Sequence, residues 1–169
     1  MPHGKQALTP VSEDEKFMRA ALSEAARAMN EEEVPVGAVV VHEGRILTRA
    51  HNRSIHLNDP TAHAEILALR RAARKLGNYR LAGCSLYVTI EPCAMCAGTI
   101  VQARLRRVVF GTEDPKAGAS GSVLSVLNHP KLNHRAEVRS GVLKEECAAI
   151  LREFFRRRRG AGRQSGQHT

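Results

Sequence analysis

The sequence lacks any long hydrophobic run. Its longest apolar stretch, Val34–Val41, is far too short to span a bilayer, and the first residues lack the apolar segment of a secretory signal peptide. These absences exclude a membrane-spanning segment and argue against a secretory leader. We therefore expect a cytoplasmic protein with no membrane partner.

Cysteine is scarce, with 4 residues in a chain of 169. Cys93 and Cys96 form a Cys-x-x-Cys pair, which in a reducing compartment suits a metal better than a disulfide. Cys84 and Cys147 belong to no such pattern, and we expect them to be buried thiols. The chain also shows no internal repeat.

The composition is that of an ordinary soluble protein, with 43% hydrophobic and 25% charged residues. The length suits one domain with a substantial core. We expect this domain over residues 12–159, preceded by a flexible N-terminus (1–11) and followed by a disordered tail (160–169).

Acidic residues are too few to balance the basic ones. With 26 Lys+Arg and 17 Asp+Glu, the formal net charge is +9. Such a surplus attracts polyanions, of which nucleic acid is the commonest in a cell. Basic clusters at 70–75 and 104–107 are typical of solvated helix faces. The densest cluster, at 152–159, favours contact with RNA.

Hydrophobic periodicity and turn residues predict an α/β fold. The segment His42-Glu43-Gly44 is typical of a hairpin turn between two antiparallel strands. The predicted helices cover 12–30, 62–76, 93–104, a short stretch at 123–127, and 144–157; the predicted strands cover 36–41, 46–50, 86–90, 107–110 and 136–139.

Two short segments suggest chemistry: His63-Ala64-Glu65 and Pro92-Cys93-Ala94-Met95-Cys96. One imidazole and two thiolates hold Zn²⁺ at three corners of a tetrahedron, and an open fourth corner is typical of a catalytic zinc. Both segments open predicted helices, whose positive dipole ends favour thiolates. Glu65 supplies the carboxylate that can take a proton from water at such a site.

Each part of this pattern is weak by itself. A Cys-x-x-Cys pair is often half of a structural zinc site or a redox pair, and a lone histidine is more often packed or solvated than ligating. A structural site, however, needs a fourth Cys or His at close spacing, which the sequence does not offer. The combination matches the zinc-deaminase signature.

The chain resembles the bacterial tRNA-specific adenosine deaminases, within the cytidine and deoxycytidylate deaminase superfamily. The resemblance extends over nearly the whole chain, from about Ser12 to Arg159. The segments that carry it are Glu33-Val34-Pro35-Val36-Gly37, Asn52-Arg53, Asp59-Pro60-Thr61-Ala62-His63-Ala64-Glu65, Glu91-Pro92-Cys93-Ala94-Met95-Cys96-Ala97-Gly98, Asp114-Pro115-Lys116-Ala117-Gly118 and Asn133-His134.

This resemblance implies hydrolytic deamination of adenosine to inosine at the wobble position of a tRNA anticodon, typically that of an arginine tRNA. It implies a three-layer α/β/α deaminase fold with a mixed five-stranded sheet flanked by helices. It also implies a homodimer with one Zn²⁺ per subunit, held by His63, Cys93 and Cys96, and no organic cofactor. Glu65 would take the proton from the zinc-bound water and pass it to N1 of adenine as hydroxide attacks C6.

The resemblance further implies a set of contacts with the tRNA anticodon stem-loop. From spacing alone, Asn52, Asp114 and Asn133 are as well explained as turn residues. Phe154 and Phe155 end an amphipathic helix, and because two adjacent positions cannot both face inward, one is free to stack on a base. The residues expected to bind substrate or RNA are Asn52, Ala64, Asp114, Asn133, Phe155, Arg156 and Arg158.

Two other classes share parts of the pattern. A deaminase of a free base or nucleoside, such as cytosine, guanine or cytidine, has the same metal motif, but the basic C-terminal cluster argues against it. A non-catalytic, zinc-stabilised RNA-binding subunit would have lost Glu65, which is present. Low activity on free nucleosides and a steep loss of RNA binding with salt would separate the tRNA enzyme from the deaminase of a free base or nucleoside.

Overall fold

A five-stranded sheet with helices on both faces forms the structure, a computed structural model that describes residues 11–164. The predicted segment 1–11 lies, except for Val11, outside the described residues. The elements in chain order are α1 (Glu13–Asn30), β1 (Gly37–His42), β2 (Arg45–His51), α2 (Ala64–Leu76), β3 (Ser85–Ile90), α3 (Ala94–Gln102), β4 (Arg107–Thr112), β5 (Glu137–Arg139) and α4 (Lys144–Gln164).

The sheet is mixed, with strand order β2-β1-β3-β4-β5. Strand β1 pairs antiparallel with both β2 and β3, whereas β3, β4 and β5 are parallel. The hairpin between β1 and β2 turns at Glu43 and Gly44, both with positive φ, as a two-residue type I′ turn requires. The predicted α/β/α fold is confirmed.

This topology directs four strands, β2, β3, β4 and β5, toward one edge of the sheet. Strand β2 is antiparallel to β1, which is antiparallel to β3, so β2, β3 and β4 all run the same way. Their carboxyl ends are followed by Asn52, Glu91 and Asp114 respectively. Open α/β sheets bind ligands at the carboxyl ends of such strands, so this edge is where a site is expected.

Apolar side chains fill both faces of the sheet. Phe17 of α1 and Cys147 of α4 pack on one face with Tyr87 and Val109, while α2 and α3 cover the other. Gly37 is required by this packing, since a Cβ there would lie 1.9 Å from the Ala21 carbonyl oxygen of α1. Cys84 and Cys147 are buried thiols, as predicted.

Two predicted elements differ from the structure. Residues 123–127 form no helix; instead the amides of Val123 and Leu124 both donate to the Gly118 carbonyl, which folds the segment into a compact loop. Helix α2 begins at Ala64, with His63 as its N-cap, rather than at Ala62. The apolar spacing at 123–127 predicted a helix with a buried face. In the structure Val123 and Leu124 are exposed, and only Leu127 of this segment is fully buried.

The last helix is longer than predicted. It continues past Arg157 to Gln164 and includes the first residues of the segment predicted to be a disordered tail. Residues 165–169 lie outside the described part of the chain. Within that part, no helix combines the length and apolar character needed to cross a membrane.

One ion cluster joins α1 to the far side of the sheet. The Asp14 carboxylate accepts hydrogen bonds from Arg107 of β4 at 2.7 and 3.0 Å, from Tyr87 of β3 at 2.6 Å, and from Arg139 of β5. The hydrogen bond from Arg107 is the main cause that holds the pKa of Asp14 well below its ordinary value, against the opposing effect of burial. The cluster thus ties three strands to one helix.

We predict that Asp14→Asn lowers the free energy of unfolding by about 2 kcal/mol at neutral pH, because it leaves the Arg139 guanidinium without its anion and the partly buried Arg107 guanidinium with Glu137 alone. A lowered carboxyl pKa stabilises the fold fully above the unfolded-state pKa, near pH 4, and this contribution is lost as the pH falls below it. Urea unfolding at several pH values should show a shallower acid loss in the variant. Glu13→Gln, on the same helical turn but exposed, is the control; equal acid slopes in Asp14→Asn and the wild type would contradict the prediction.

Candidate metal centre and active site

Two helices begin at the carboxyl edge of the sheet with a potential metal ligand at each N-cap. His63 precedes α2 with φ −73° and ψ 152°, and Cys93 precedes α3 with φ −74° and ψ 175°. Neither side chain caps its own helix. The extended N-cap backbone turns both side chains away from their helices and toward one another, while the helix N-termini add positive potential.

The structure brings His63, Cys93 and Cys96 together, as the sequence predicts. The Nδ1 atom of His63 lies 3.7 Å from Sγ of Cys93 and 3.5 Å from Sγ of Cys96. Their ligand atoms all lie within 4.8 Å of one another, and this is the only such group of three or more potential ligands among the described residues. The spacing suits donors that share a single small cation.

The protonation of these groups fits a soft metal. Hydrogen bonds from Cys96 and His63 lower the pKa of Cys93 to about 3, so its thiolate is ready to ligate. The pKa of Cys96 is raised by its hydrogen bond to Cys93 and by burial, and the same partner raises the pKa of His63. Thiolate and imidazole donors suit zinc, and metal binding would displace the protons that these groups share.

Glu65 lies in the first turn of α2 and is 2% exposed. Burial is the main cause that raises its pKa above the ordinary glutamate value. It lines a cavity of about 290 Å³ together with His63 and Cys93. A buried carboxyl beside the thiols can therefore take up and hold a proton within this cavity.

Two of the predicted substrate residues also line this cavity. Asn52 and Asp114 line its walls, together with Ala117 and Ile90. Asn52 Oδ1 accepts from the buried Ala64 N–H at 2.8 Å, which satisfies the first free amide of α2. Asn52 therefore both caps the start of α2 and lines the cavity.

Asp114 likewise combines a turn with a place in the cavity. Its Oδ1 accepts from the amides of Lys116 and Ala117 at 3.0 and 3.2 Å, as in an Asx turn. Asn133, in contrast, is exposed, and it does not line the cavity. Its carbonyl accepts from Arg104, and its part in substrate binding stays a prediction.

The C-terminal helix forms a second, larger groove. Phe155 and Arg156 line it opposite Pro115 and Lys116, in a volume of about 910 Å³. Phe155 is 46% exposed whereas Phe154 is 5% exposed, so one ring of the pair faces outward, as the sequence predicts. Groove and cavity meet at the loop that follows β4, because Asp114 and Pro115 are adjacent.

Arg156 and Arg158 differ in the contacts that their side chains make within the protein. Arg156 donates two hydrogen bonds to the Glu153 carboxylate, at 3.0 and 2.7 Å, on the exposed face of α4. Arg158 stacks over the Phe154 ring at 5.0 Å and donates to the Glu32 carbonyl at 3.1 Å. Arg158 therefore has a role in the fold that its position in a basic run does not reveal.

Sequence reasoning assigned no role to two buried carboxylates beside the cavity. Glu33 accepts from the amides of Ile55 and His56 and from His56 Nδ1, which fixes the loop after Asn52. Glu91 accepts four hydrogen bonds from the loop after β4. Both are 2% exposed. A glutamate directly before an apolar segment or a proline, as in Glu33-Val34-Pro35 and Glu91-Pro92, is the signal that could have indicated them.

A mixed sheet that presents a His/Cys/Cys cluster and a buried glutamate in one small cavity is the arrangement typical of nucleobase deaminases. The family model of the MafB19-like deaminases matches residues 12–159. The chain therefore belongs to that family and, within it, to the tRNA-specific adenosine deaminases, as the following relatives show.

The tRNA-specific adenosine deaminase of Bacillus subtilis is 49% identical over 146 residues, covering 86% of this chain and 91% of the relative. That of Haemophilus influenzae is 52% identical over 147 residues, covering 86% and 85%. A solved structure from a study of A-to-I editing by tRNA:A34 deaminases at the wobble position superposes with a TM-score of 0.78. It is 48% identical and covers 80% of this chain and 99% of its own.

Free-base deaminases share the fold at lower identity. The guanine deaminase of Nitrosomonas europaea superposes with a TM-score of 0.69 at 25% identity, covering 88% of this chain and 85% of its own. The fold is thus common to this chain and to a deaminase of a free base.

We predict that His63→Ala abolishes tight metal binding, because the two remaining thiols cannot complete the centre. Metal analysis after gel filtration should find about one zinc per chain in the wild type and almost none in the variant. His129→Ala, an exposed histidine outside the cluster, is the control. Full zinc content in His63→Ala would show that this imidazole is not a ligand.

Proposed function

We propose that this protein deaminates adenosine to inosine at the wobble position of a tRNA anticodon, that of an arginine tRNA among them. The observation that carries the proposal is the buried Glu65 beside the His63, Cys93 and Cys96 cluster, in a chain about half identical to tRNA-specific adenosine deaminases. The exposed Phe155 and the arginines around it support an RNA substrate over a free base.

The donor set supports zinc as the metal. His63, Cys93 and Cys96 would hold the cation, and thiolates do not suit Mg²⁺ or Ca²⁺. Zn²⁺ held there would supply the Lewis acidity that makes a water molecule nucleophilic at neutral pH. The cluster is neutral when two thiolates and an imidazole bind the cation, so it acidifies water less than an all-histidine site would, and a base is needed nearby.

Glu65 is that base. It accepts a proton from the attacking water and donates it to N1 of adenine as the new C–O bond forms at C6. A second proton passes through the same carboxyl to the amino group, which leaves as ammonia when the C–N bond breaks. The raised pKa of Glu65 supports this role, because a carboxyl that holds a proton in the buried cavity can also deliver it.

The walls of the cavity would orient the flipped base. Asn52 and Asp114 offer amide and carboxylate groups on these walls, whereas Ala64 is fully buried, does not line the cavity and holds Asn52 through its backbone amide. Beyond the rim, the groove with Phe155 and Arg156 suits the phosphates and bases that flank the target. A base must leave its stack to enter the cavity, which a single-stranded loop permits at low cost.

We further propose a cytoplasmic homodimer. Large apolar side chains at Ile55, Leu57 and Tyr79 are 45 to 67% exposed in the single chain, and the first two belong to the loop that borders the cavity. A second subunit would cover such a surface. The family resemblance supports the same assembly.

The direct test offers the purified protein an arginine-tRNA anticodon stem-loop with a wobble adenosine, in parallel with free adenosine, cytidine and guanine. We expect inosine in the RNA alone, detected by nucleoside mass spectrometry. Deamination of only a free base would transfer the protein to the small-molecule deaminases and refute the proposed RNA substrate.

We predict that Glu65→Gln keeps the fold and the zinc but lowers turnover on the stem-loop by a factor of about 10² to 10⁴, because the amide cannot shuttle protons. Single-turnover assays and metal analysis measure both quantities. Glu43→Gln, on the exposed hairpin turn, should leave the rate unchanged. Retention of most of the rate in Glu65→Gln would remove the assigned role.

The adjacent phenylalanines provide a matched pair. Phe155→Ala should weaken stem-loop binding about 5- to 100-fold by loss of stacking, with little change in thermal stability. Phe154→Ala should instead lower the free energy of unfolding by about 3 kcal/mol, because its ring is buried. Fluorescence anisotropy and urea unfolding distinguish the two; the reverse pattern would assign stacking to the other ring.

A further inference from the structure

We infer that Glu91 is a positioning residue for the deaminase site: its buried carboxylate fixes the loop Asp114–Ser122 so that Asp114 and Ala117 stand at the wall of the cavity. The inference rests on the proposed function only where it concerns the substrate; the anchoring itself is a property of the free protein.

The Glu91 carboxylate collects donors from both ends of the loop. Oε1 accepts from the Asp114 amide at 3.3 Å and from the Ser122 hydroxyl, and Oε2 accepts from the amides of Ser120 at 2.9 Å and Ser122 at 3.2 Å. Within the described residues it forms no ion pair, although it is only 2% exposed. A buried carboxylate whose oxygens are satisfied entirely by one loop stabilises that loop's conformation.

The loop is also fastened to the segment that holds the metal ligands. The Ala119 amide donates to the Pro92 carbonyl at 2.8 Å, and Cys93 forms an isolated bridge with Gly118. The Glu91 amide donates to the Thr112 carbonyl at 2.8 Å. The carboxylate thus links the end of β3, which leads into Cys93, to the loop that follows β4.

Gly118 shows how closely the loop is fitted. A Cβ at this position would lie 2.2 Å from Glu91 Oε2 and 2.6 Å from the Asp114 carbonyl oxygen. The φ of Gly118 is not in the left-handed region, so the glycine is required by space rather than by backbone conformation. The loop wraps the carboxylate with no room for a side chain.

These contacts place Asp114 and Ala117 relative to Cys93. Both residues line the cavity with Cys93, and Pro115 and Lys116 between them line the groove. Loss of the anchor would let one wall of the cavity and one side of the groove move together. A shift of about 1 Å in positioning groups can lower kcat/KM by about 10²-fold.

The test compares Glu91→Gln and Ser122→Ala with Ser125→Ala as the matched control. The side-chain amide introduced by Glu91→Gln cannot accept at its nitrogen, and Ser122→Ala removes one donor without changing a residue of the cavity. Ser125 lies in the same exposed stretch, and its side chain makes no contact with Glu91. Hydrogen exchange of the zinc-loaded protein, zinc content, and kcat and KM on the stem-loop are measured for each.

We expect the amides of Asp114, Ser120 and Ser122 to exchange at least about tenfold faster in Glu91→Gln and less so in Ser122→Ala, with strand amides and zinc content unchanged. The KM for the stem-loop should rise about tenfold with a smaller change in kcat. In the double variant, the combined effect of the two substitutions on the exchange rates and on KM should be smaller than the sum of their separate effects. Ser125→Ala should match the wild type.

Unchanged exchange in the loop, in either variant, would overturn the inference. So would faster exchange throughout the chain or a loss of zinc in both variants, since Glu91 would then support the fold or the metal segment rather than the loop. If the wild type does not act on the stem-loop, the proposed function fails while the exchange results still decide whether Glu91 anchors the loop.

Discussion

The approach of one imidazole to two thiols is the constraint on which the rest of this structure depends. His63 and Cys93 can meet only if α2 and α3 begin at the same edge of the sheet, and this requires β2 and β3 to run in the same direction. The intervening antiparallel strand β1 satisfies that condition. The order of strands in the sheet is therefore inseparable from the 3.5 to 3.7 Å separations at the centre of the cavity.

Three buried carboxyl groups lie around this centre, and their pKa values are shifted in different directions by their surroundings. Glu65 has few donors, so burial dominates and raises its pKa. Burial also opposes ionisation of Glu33 and Glu91, but hydrogen bonds from His56 and Ser122, respectively, with loop amides outweigh it and lower their pKa values. The first suits proton transfer and the other two suit anchoring. Residues of one type thus acquire distinct tasks from the number of donors that face them.

Predictions from a local sequence pattern succeeded where that pattern, a residue type at a given spacing, had only one physical explanation. The hairpin at Glu43 and Gly44 and the outward-facing ring at 155 belong to this group, as does the meeting of His63, Cys93 and Cys96 in space. Predictions failed where apolar spacing did not match burial. Val123 and Leu124 have helical spacing but remain exposed, because their amides are drawn to the Gly118 carbonyl of a loop that Glu91 organises.

The sequence by itself determined the class of protein and the alternation of helices and strands, and it predicted the metal ligands and the proton-transferring glutamate, because each follows from residue identity and short-range spacing. Only the tertiary structure decided that Arg158 packs on Phe154, that Asn133 does not line the cavity, and that Glu91 accepts hydrogen bonds from the loop after β4. These depend on which residues from distant parts of the chain meet in space, and hydrogen bonds between β3 and the loop after β4 leave no local periodic signal in the sequence.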